Sequence, residues 1–409
     1  MTAAPRHFVL HMGPSKTGTS AFQSWLTDMA PALSERGILF ETEATGATGN
    51  GGRVAEGLAG VPRPGMEIKV EKRLATFRQA ITAFEGDAVL QSAERWFGIL
   101  ERSERAYDPT HTRARARHAV HILRALGAER ITAVIVLRNA GDRAVSAAAQ
   151  RLRTLKPDTR LAFMPRSVDK FVVPYHRVFA DLRAEGMEVA PLLYDPPGTT
   201  DPLPLRVMRT AGLGDRLDGL PVEADSVNRS MGVVGCHAGD QITDWIGQLP
   251  RDQGQKVRNS LKKVLRTAFD ASPIADRDVP FNGVGPDRIA DLQERQAPFN
   301  ARLGDELTTA EIERLNRTKW ADRPLSPLRL GDLTAEQRND VADLLRRVAE
   351  EIRIAPKLMR LVDGAEAELI ERGERIARGC HPAPQPDSQR PNETDSKQEM
   401  KEPYEWQSS

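Results

Sequence analysis

Cysteine is nearly absent from this chain: two among 409 residues, Cys236 and Cys380. They lie far apart and share no metal-ligand spacing, so there is no disulfide framework and no thiolate metal site, and a reducing compartment fits. Excess charge is also missing, because 58 Lys and Arg stand against 57 Asp and Glu for a formal net +1. That excludes the global basic field expected of a nucleic-acid binder, so any anion site must come from local clustering. No run approaches the ~18 apolar residues that a membrane helix needs, and Met1 to Arg6 lack the basic-then-apolar pattern of a signal peptide. A cytoplasmic protein with no membrane span is the expectation. Aromatic residues are only 5% of the chain, and no aromatic platform for sugars or phenols stands out.

What the chain does have is enough apolar content, 40%, for one large core or two. Its most informative stretch is residues 8–26. Phe8 to Met12 is a short apolar run and reads as a strand; Gly13 and Pro14 break it. Phe22, Trp25, Leu26 and Met29 then recur at helical spacing. Strand, tight loop and helix follow one another, with Ser15 and Lys16 in the loop and Thr17, Gly18, Thr19 and Ser20 at the helix start. A helix N-terminus has unpaired N–H groups and the positive end of the dipole, which makes a phosphate or sulfate site the natural candidate. The spacing Gly13-x-x-x-x-Gly18 is that of a P-loop, but Thr19-Ser20 replaces the Lys-Ser/Thr that a nucleoside triphosphate loop places after its second glycine.

The rest of the chain repeats the alternation of strand and helix. Ile38 to Phe40 reads as a short strand, residues 43–66 as a long Gly- and Ala-rich loop, and residues 70–84 as a helix. Ala88 to Leu90 reads as a buried strand whose carboxyl end carries Ser92 and Glu94, the position of a general base or simply of a surface carboxylate. His118 and His121 share a helical stretch, but no carboxylate or cysteine stands at ligand spacing, so no metal is expected. Ile131 to Leu137 is apolar almost throughout, as a central parallel strand should be. It ends in Arg138-Asn139, and Arg143, Ser146 and Gln150 then share one face of a helix. Arginine presents a rigid fork to phosphate oxygens and serine adds a donor. Asp169 to Glu185 reads as a helix, Met187 to Leu193 as a strand ended by Tyr194 and Asp195, and Pro202 to Ala211 as a short helix. Residues 236–375 carry amphipathic helical patterns suited to packing on the core or on a second copy of the chain, and residues 381–409 have a disordered composition.

Two of these stretches resemble one family. Pro-x-Lys16-Thr-Gly-Thr-Ser is similar to the 5′-phosphosulfate loop of the sulfotransferases that use PAPS (3′-phosphoadenosine 5′-phosphosulfate). Arg138-Asn139-x-x-x-Arg143-x-x-Ser146 is similar to that family's 3′-phosphate motif. Val227 to Ser230 and Phe299 to Leu303 look like later family elements, and the resemblance covers roughly residues 6–235. Ala140 stands where the family has proline, Ala148 where it often has tyrosine, and no equivalent of a Gly- and Lys-rich late loop is evident. The resemblance implies an α/β fold with a central parallel sheet flanked by helices, the P-loop-like sulfotransferase fold. It further implies a PAPS-binding core over residues 1–235, with 236–375 as a helical extension.

The implied activity is sulfuryl transfer from PAPS to a hydroxyl or amine, a saccharide or glycolipid acceptor by family usage, with release of PAP (3′-phosphoadenosine 5′-phosphate). Lys16 would steady the charge on the bridging oxygen. Ser15, Thr17, Gly18, Thr19 and Ser20 would hold the 5′-phosphate, and Arg138 and Ser146 the 3′-phosphate. Glu94, with His11 second, would be the base. No metal is implied, since the strand ending at Leu137 leads to arginine and not to the aspartate of a magnesium-dependent NTPase. A P-loop-type kinase or NTPase and a non-catalytic nucleotide-binding module are the alternatives.

Overall fold

The computed structural model describes residues 6–14, 16–41, 51–100, 107–155, 161, 169–194, 200–222, 231–354 and 365–380. Ser15, Asp195, Val227 to Ser230 and residues 381–409 lie outside them. Five strands form one parallel sheet: β1 Arg6–His11, β2 Ile38–Phe40, β3 Ala88–Ser92, β4 Ala128–Leu137 and β5 Glu188–Leu193, in the order β2-β3-β1-β4-β5. Parallel neighbours need crossover connections, and helices supply them. They are α1 Thr19–Glu35, α2 Gly52–Leu58, α3 Glu67–Ala83, α4 Arg95–Leu100, α5 Pro109–Ala125, α6 Ala140–Arg153 and α7 Tyr175–Ala184.

The central strands are apolar on both faces because both faces are covered. Phe8 and Leu10 of β1, with Ile131, Ala133, Ile135 and Leu137 of β4, enter one core. Val9, Val134 and Val136, one residue out of phase, enter the core on the other side with Phe22 and Leu26 of α1. Each large side chain sealed in this way contributes roughly 1.5–3 kcal/mol of hydrophobic stabilisation. β1 and β4 are neighbours, with His11 paired to Val134. The chain leaves β1 toward the β2 edge and leaves β4 toward the β5 edge. Their carboxyl ends therefore diverge, and in open parallel sheets such a switch point is where ligands sit.

α8 Leu203–Thr210 packs back on the sheet, its Val207 and Met208 in one core with Val9 and Phe22. A second body of helices follows, made of α9 Val233–Ile246, α10 Arg251–Asp270, α11 Ile274–Arg277 and α12 Pro286–Asn300, then, after α13 Thr309–Asn316, whose Leu315 joins the sheet core, of α14 Ala335–Arg353 and α15 Ala365–Ala377. Its core reaches back to the sheet domain through α6, whose Ala144, Val145, Ala148 and Leu152 pack with Cys236 and Ile242 of α9, Leu265 of α10 and Leu344, Leu345 and Val348 of α14. Thr334 begins α14 with a capping box to Gln337.

Two expectations are corrected. Residues 43–66 are not one loop: α2 lies within them, with Val54, Ala55 and Leu58 sealed in the core. Gly57 there lets α3 approach so closely that a Cβ would stand 3.2–3.3 Å from Leu74 and Val70. The expected helix over Asp169 to Glu185 is a 3-10 turn, Asp169–Phe171, and then α7. Pro174, which has no N–H to continue a helix, stands at the break. Pro250, extended at ψ 141°, separates α9 from α10. No helix among the described residues is long and apolar enough to cross a membrane.

Candidate functional site

β1 ends at His11, and the chain turns through Gly13 and Pro14 to Lys16. Lys16 (φ +74°) and Gly18 (φ +77°) both adopt the left-handed conformation. For a lysine this costs of order 1–3 kcal/mol and persists only where the surroundings enforce it. Gly18 is required, because a Cβ there would stand 2.7 Å from both Leu203 Cδ2 and Tyr194 Cε2. α1 begins at Thr19 with no described side chain capping it, so its first N–H groups face the loop.

What enforces the Lys16 conformation is Arg138. Its Nη1 donates to the Lys16 carbonyl at 2.6 Å, and its guanidinium lies 4.6 Å from the centre of the Tyr194 ring. Tyr194 is held in turn: its N–H donates to Leu137 O at 2.7 Å, and Arg206 donates to Leu193 O at 2.6 Å and Tyr194 O at 2.7 Å. The loop after β1 and the ends of β4 and β5 are thus tied together at the switch point.

Lys16 is half-buried, and its pKa is lowered to about 8, first by loss of water and then by the charges of Arg153 and Arg138, with Glu94 opposing them. Glu94 follows the end of β3, where Ala93 N donates to His11 O at 3.2 Å. The next residue, Arg95, pairs with the fully buried Glu56, which also takes Arg63 at 2.9 Å. Lys16, Arg138 and Glu94 therefore share one neighbourhood.

The remaining sequence candidates divide. Thr17 is fully buried and spends its hydroxyl proton on Pro14 O at 2.8 Å, whereas Ser20 is exposed at the first turn of α1. Ser146 is half-buried on α6. Arg143 turns inward, donating to Tyr175 Oη at 3.0 Å. Asn139 caps α6, accepting from Asp142 N at 3.1 Å. His11 is sealed beneath the loop, its Nδ1 2.8 Å from Ser92 Oγ, and burial drives its pKa down to about 3. Shut away from any acceptor, His11 is not placed to take a proton from one.

Two neighbours of the site escaped the sequence motifs. Arg153, the last residue of α6, is half-buried without an ion pair among the described residues, and burial followed by Arg266 lowers its pKa. Its position at i+7 from Ser146 was the only available signal. Glu41, directly after β2, is fully buried beside Gln91 and Gly51. Only its place at a strand end hinted at that.

Among the described residues no cluster of three or more His, Cys, Asp or Glu is arranged to hold a metal ion. No family model, no curated protein and no solved structure matches this chain.

Proposed function

We propose that this protein is a PAPS-dependent sulfotransferase, with the P-loop-like fold of that family, acting on a hydroxyl or amine of a saccharide or glycolipid. The observation that carries the reading is the bond from Arg138 to the Lys16 carbonyl across the diverging ends of β1 and β4. It brings the loop after β1 and the start of α6 side by side, which supports the reading that one donor with a 5′-phosphosulfate and a 3′-phosphate spans them.

The residues present suit such a group. Among the described residues Thr19 Oγ1 is buried with no partner and no side chain caps the first turn of α1, and the bare Cα of Gly13 lets the Thr17 and Thr19 hydroxyls crowd the loop, where a Cβ would stand 2.6 and 2.8 Å from them. Backbone N–H groups of Thr17 and Gly18, with Thr19 and Ser20, would hold the 5′-phosphate. Arg138 and Ser146 would hold the 3′-phosphate, with Ser15 as a further loop contact. The bound donor supplies an activated sulfuryl group on a phosphate leaving group. Lys16 presents a cation where negative charge builds during transfer, an interaction stronger in the transition state than before it. With a pKa of about 8 the ammonium is charged at neutral pH, and a bound anion raises that value further. Glu94 accepts the acceptor's proton, for which it must come within ~3 Å of the attacking atom.

The test is calorimetry with PAP, ADP and ATP, each with and without magnesium, on the intact chain and on Lys16→Ala. PAP should bind without magnesium and more tightly than ADP, and Lys16→Ala should keep its fold and lose transfer. Magnesium-dependent ATP binding without PAP binding would favour the kinase or NTPase reading instead. PAP binding without transfer to any acceptor would favour a binding module.

A further inference from the structure

Glu56, on α2, is fully buried, and a carboxylate taken out of water is costly unless cations meet it. Two do, through one oxygen: Arg63 Nε stands 2.9 Å from Glu56 Oε1, and Arg95 Nε meets the same atom. A single carboxylate therefore holds two guanidiniums side by side. The arginines are not sealed in with it, for the side chain of Arg63 is 52% exposed and that of Arg95 37%. A guanidinium carries five N–H donors, and one shared carboxylate cannot use both sets. Among the described residues no other group bonds to either, so donors of both forks are left to solvent.

The backbone beneath the pair is fixed in advance. Pro62 and Pro64 bracket Arg63 and restrict it, and Val61 N donates to Glu56 O at 2.9 Å. α2 is tied to the end of β3, where Gly51 N donates to Ser92 O at 3.2 Å and Gln91 Nε2 to Gly51 O at 3.0 Å. Val54, Ala55 and Leu58 of α2 share a core with Trp96, Phe97 and Leu100 of α4, the helix that Arg95 begins. Arg95 directly follows Glu94, whose own charge acts on Lys16. This corner lies beyond β3, whereas Arg138 and Ser146 lie beyond β4, on the other side of β1.

We propose that Arg63 and Arg95, aligned by Glu56, form a second oxyanion site that takes a singly charged acid group of the acceptor, a uronate carboxylate or a sulfate ester. Planar forks grip such a group through paired N–H donors, which an ammonium cannot do. Two cations around one carboxylate leave one positive charge in excess, the complement of a monoanion and not of a phosphate dianion. An acid group held there brings the neighbouring hydroxyls of the same saccharide to Glu94. Glu56 is a positioning residue: it acts through the two arginines and touches no ligand. The inference rests on the proposed function only in calling the ligand the acceptor.

The probes are hexagalacturonate, its full methyl ester and a galactan hexamer carrying 6-sulfates. Each is titrated by calorimetry into the intact chain with no nucleotide present. Hexagalacturonate and the sulfated galactan should bind at least tenfold more tightly than the neutral ester. Arg63→Ala, at an exposed position, should weaken acid binding about five- to tenfold, the worth of one charged hydrogen bond near solvent, and leave the ester unchanged. Glu56→Gln should also weaken it, although the change adds positive charge, because a neutral amide does not hold two guanidiniums in line. Lys263→Ala removes an exposed cation of α10 and should change nothing. Equal binding of acid and ester, undiminished binding in Arg63→Ala, tighter binding in Glu56→Gln or an equal loss in Lys263→Ala overturns the site. Should Glu56→Gln fail to fold, Arg95→Gln takes its place and should match the loss in Arg63→Ala; no loss there overturns the site as well. If the acids bind in this pattern while PAP does not bind, the donor reading fails and the oxyanion site stands. If PAP binds and the acids do not, the site fails and the donor reading stands.

Discussion

Replacing Arg138 by glutamine separates what holds the loop from what the loop holds. The guanidinium makes a 2.6 Å bond to the Lys16 carbonyl and stacks on Tyr194. A hydrogen bond from a charged group contributes ~1.5–3 kcal/mol, and a partly exposed cation–π contact about 0.5–1 kcal/mol. Water replaces part of this at a half-buried site, so a net loss of about 2 kcal/mol in folding stability is expected. Lys16 would then hold its left-handed backbone without support and relax. Losing one charged bond to a phosphate should also weaken PAP binding about ten- to a hundredfold. Urea unfolding reads the first effect and calorimetry the second. Arg138→Lys should rescue neither, because an ammonium cannot stack as a plane on Tyr194 while bonding the carbonyl. Wild-type unfolding and wild-type PAP affinity in Arg138→Gln would refute the reasoning. Lost binding at unchanged stability would show that Arg138 meets the ligand without holding the loop.

Three further outcomes follow from the same geometry. Gly18→Ala places a Cβ at φ +77° against Leu203 and Tyr194 and should cost about 1–3 kcal/mol in urea unfolding; an unchanged midpoint contradicts the left-handed turn. Arg153→Gln removes a positive charge that depresses Lys16, so the Lys16 pKa should rise from about 8, read by the pH dependence of amine labelling; an unchanged profile would show that the two cations do not meet. Acid should destabilise the fold through its buried histidines. His7 is lowered to about 4, by burial first and then by Arg130, and His11 to about 3 by burial. Above pH 6.5 both are neutral folded or unfolded and cost nothing. Below it the unfolded chain takes up protons that the folded one refuses, so stability is lost progressively down to about pH 3–4. Urea midpoints that do not fall between pH 6.5 and 4 would argue against it.

Much of the central sheet was legible because its strands are covered on both faces and so read as unbroken apolar runs. Phe8 to Met12 and Ile131 to Leu137 stand out for that reason, and the residues after them, Lys16 and Arg138, fall together because adjacent strand ends do. α2 was not legible. Its Gly- and Ala-rich sequence has little helical periodicity, and it is packing against α3 that makes it a helix. The break before α7 lay in plain view at Pro174, but the stripe Phe171, Tyr175, Val178 and Leu182 runs across it and masks it. At the site, residue types were legible and directions were not. Strand alternation does not reveal that His11 is sealed beneath the loop, nor helical spacing that Gln23 turns back to Ser92. Arg153 is one basic residue among many, and nothing in its spacing announces that its charge acts on Lys16.

The central claim meets its most direct test in turnover. The intact chain is incubated with PAPS and a panel of saccharide, glycolipid and amine acceptors in the presence of a chelator, and products are read by mass spectrometry beside the Lys16→Ala and Arg138→Gln variants. The account predicts that one acceptor class gains a single sulfuryl group as PAP appears in equal amount, and that the Lys16 variant gives almost none. Transfer that needs magnesium and ATP, or sulfation undiminished in Lys16→Ala, would contradict it.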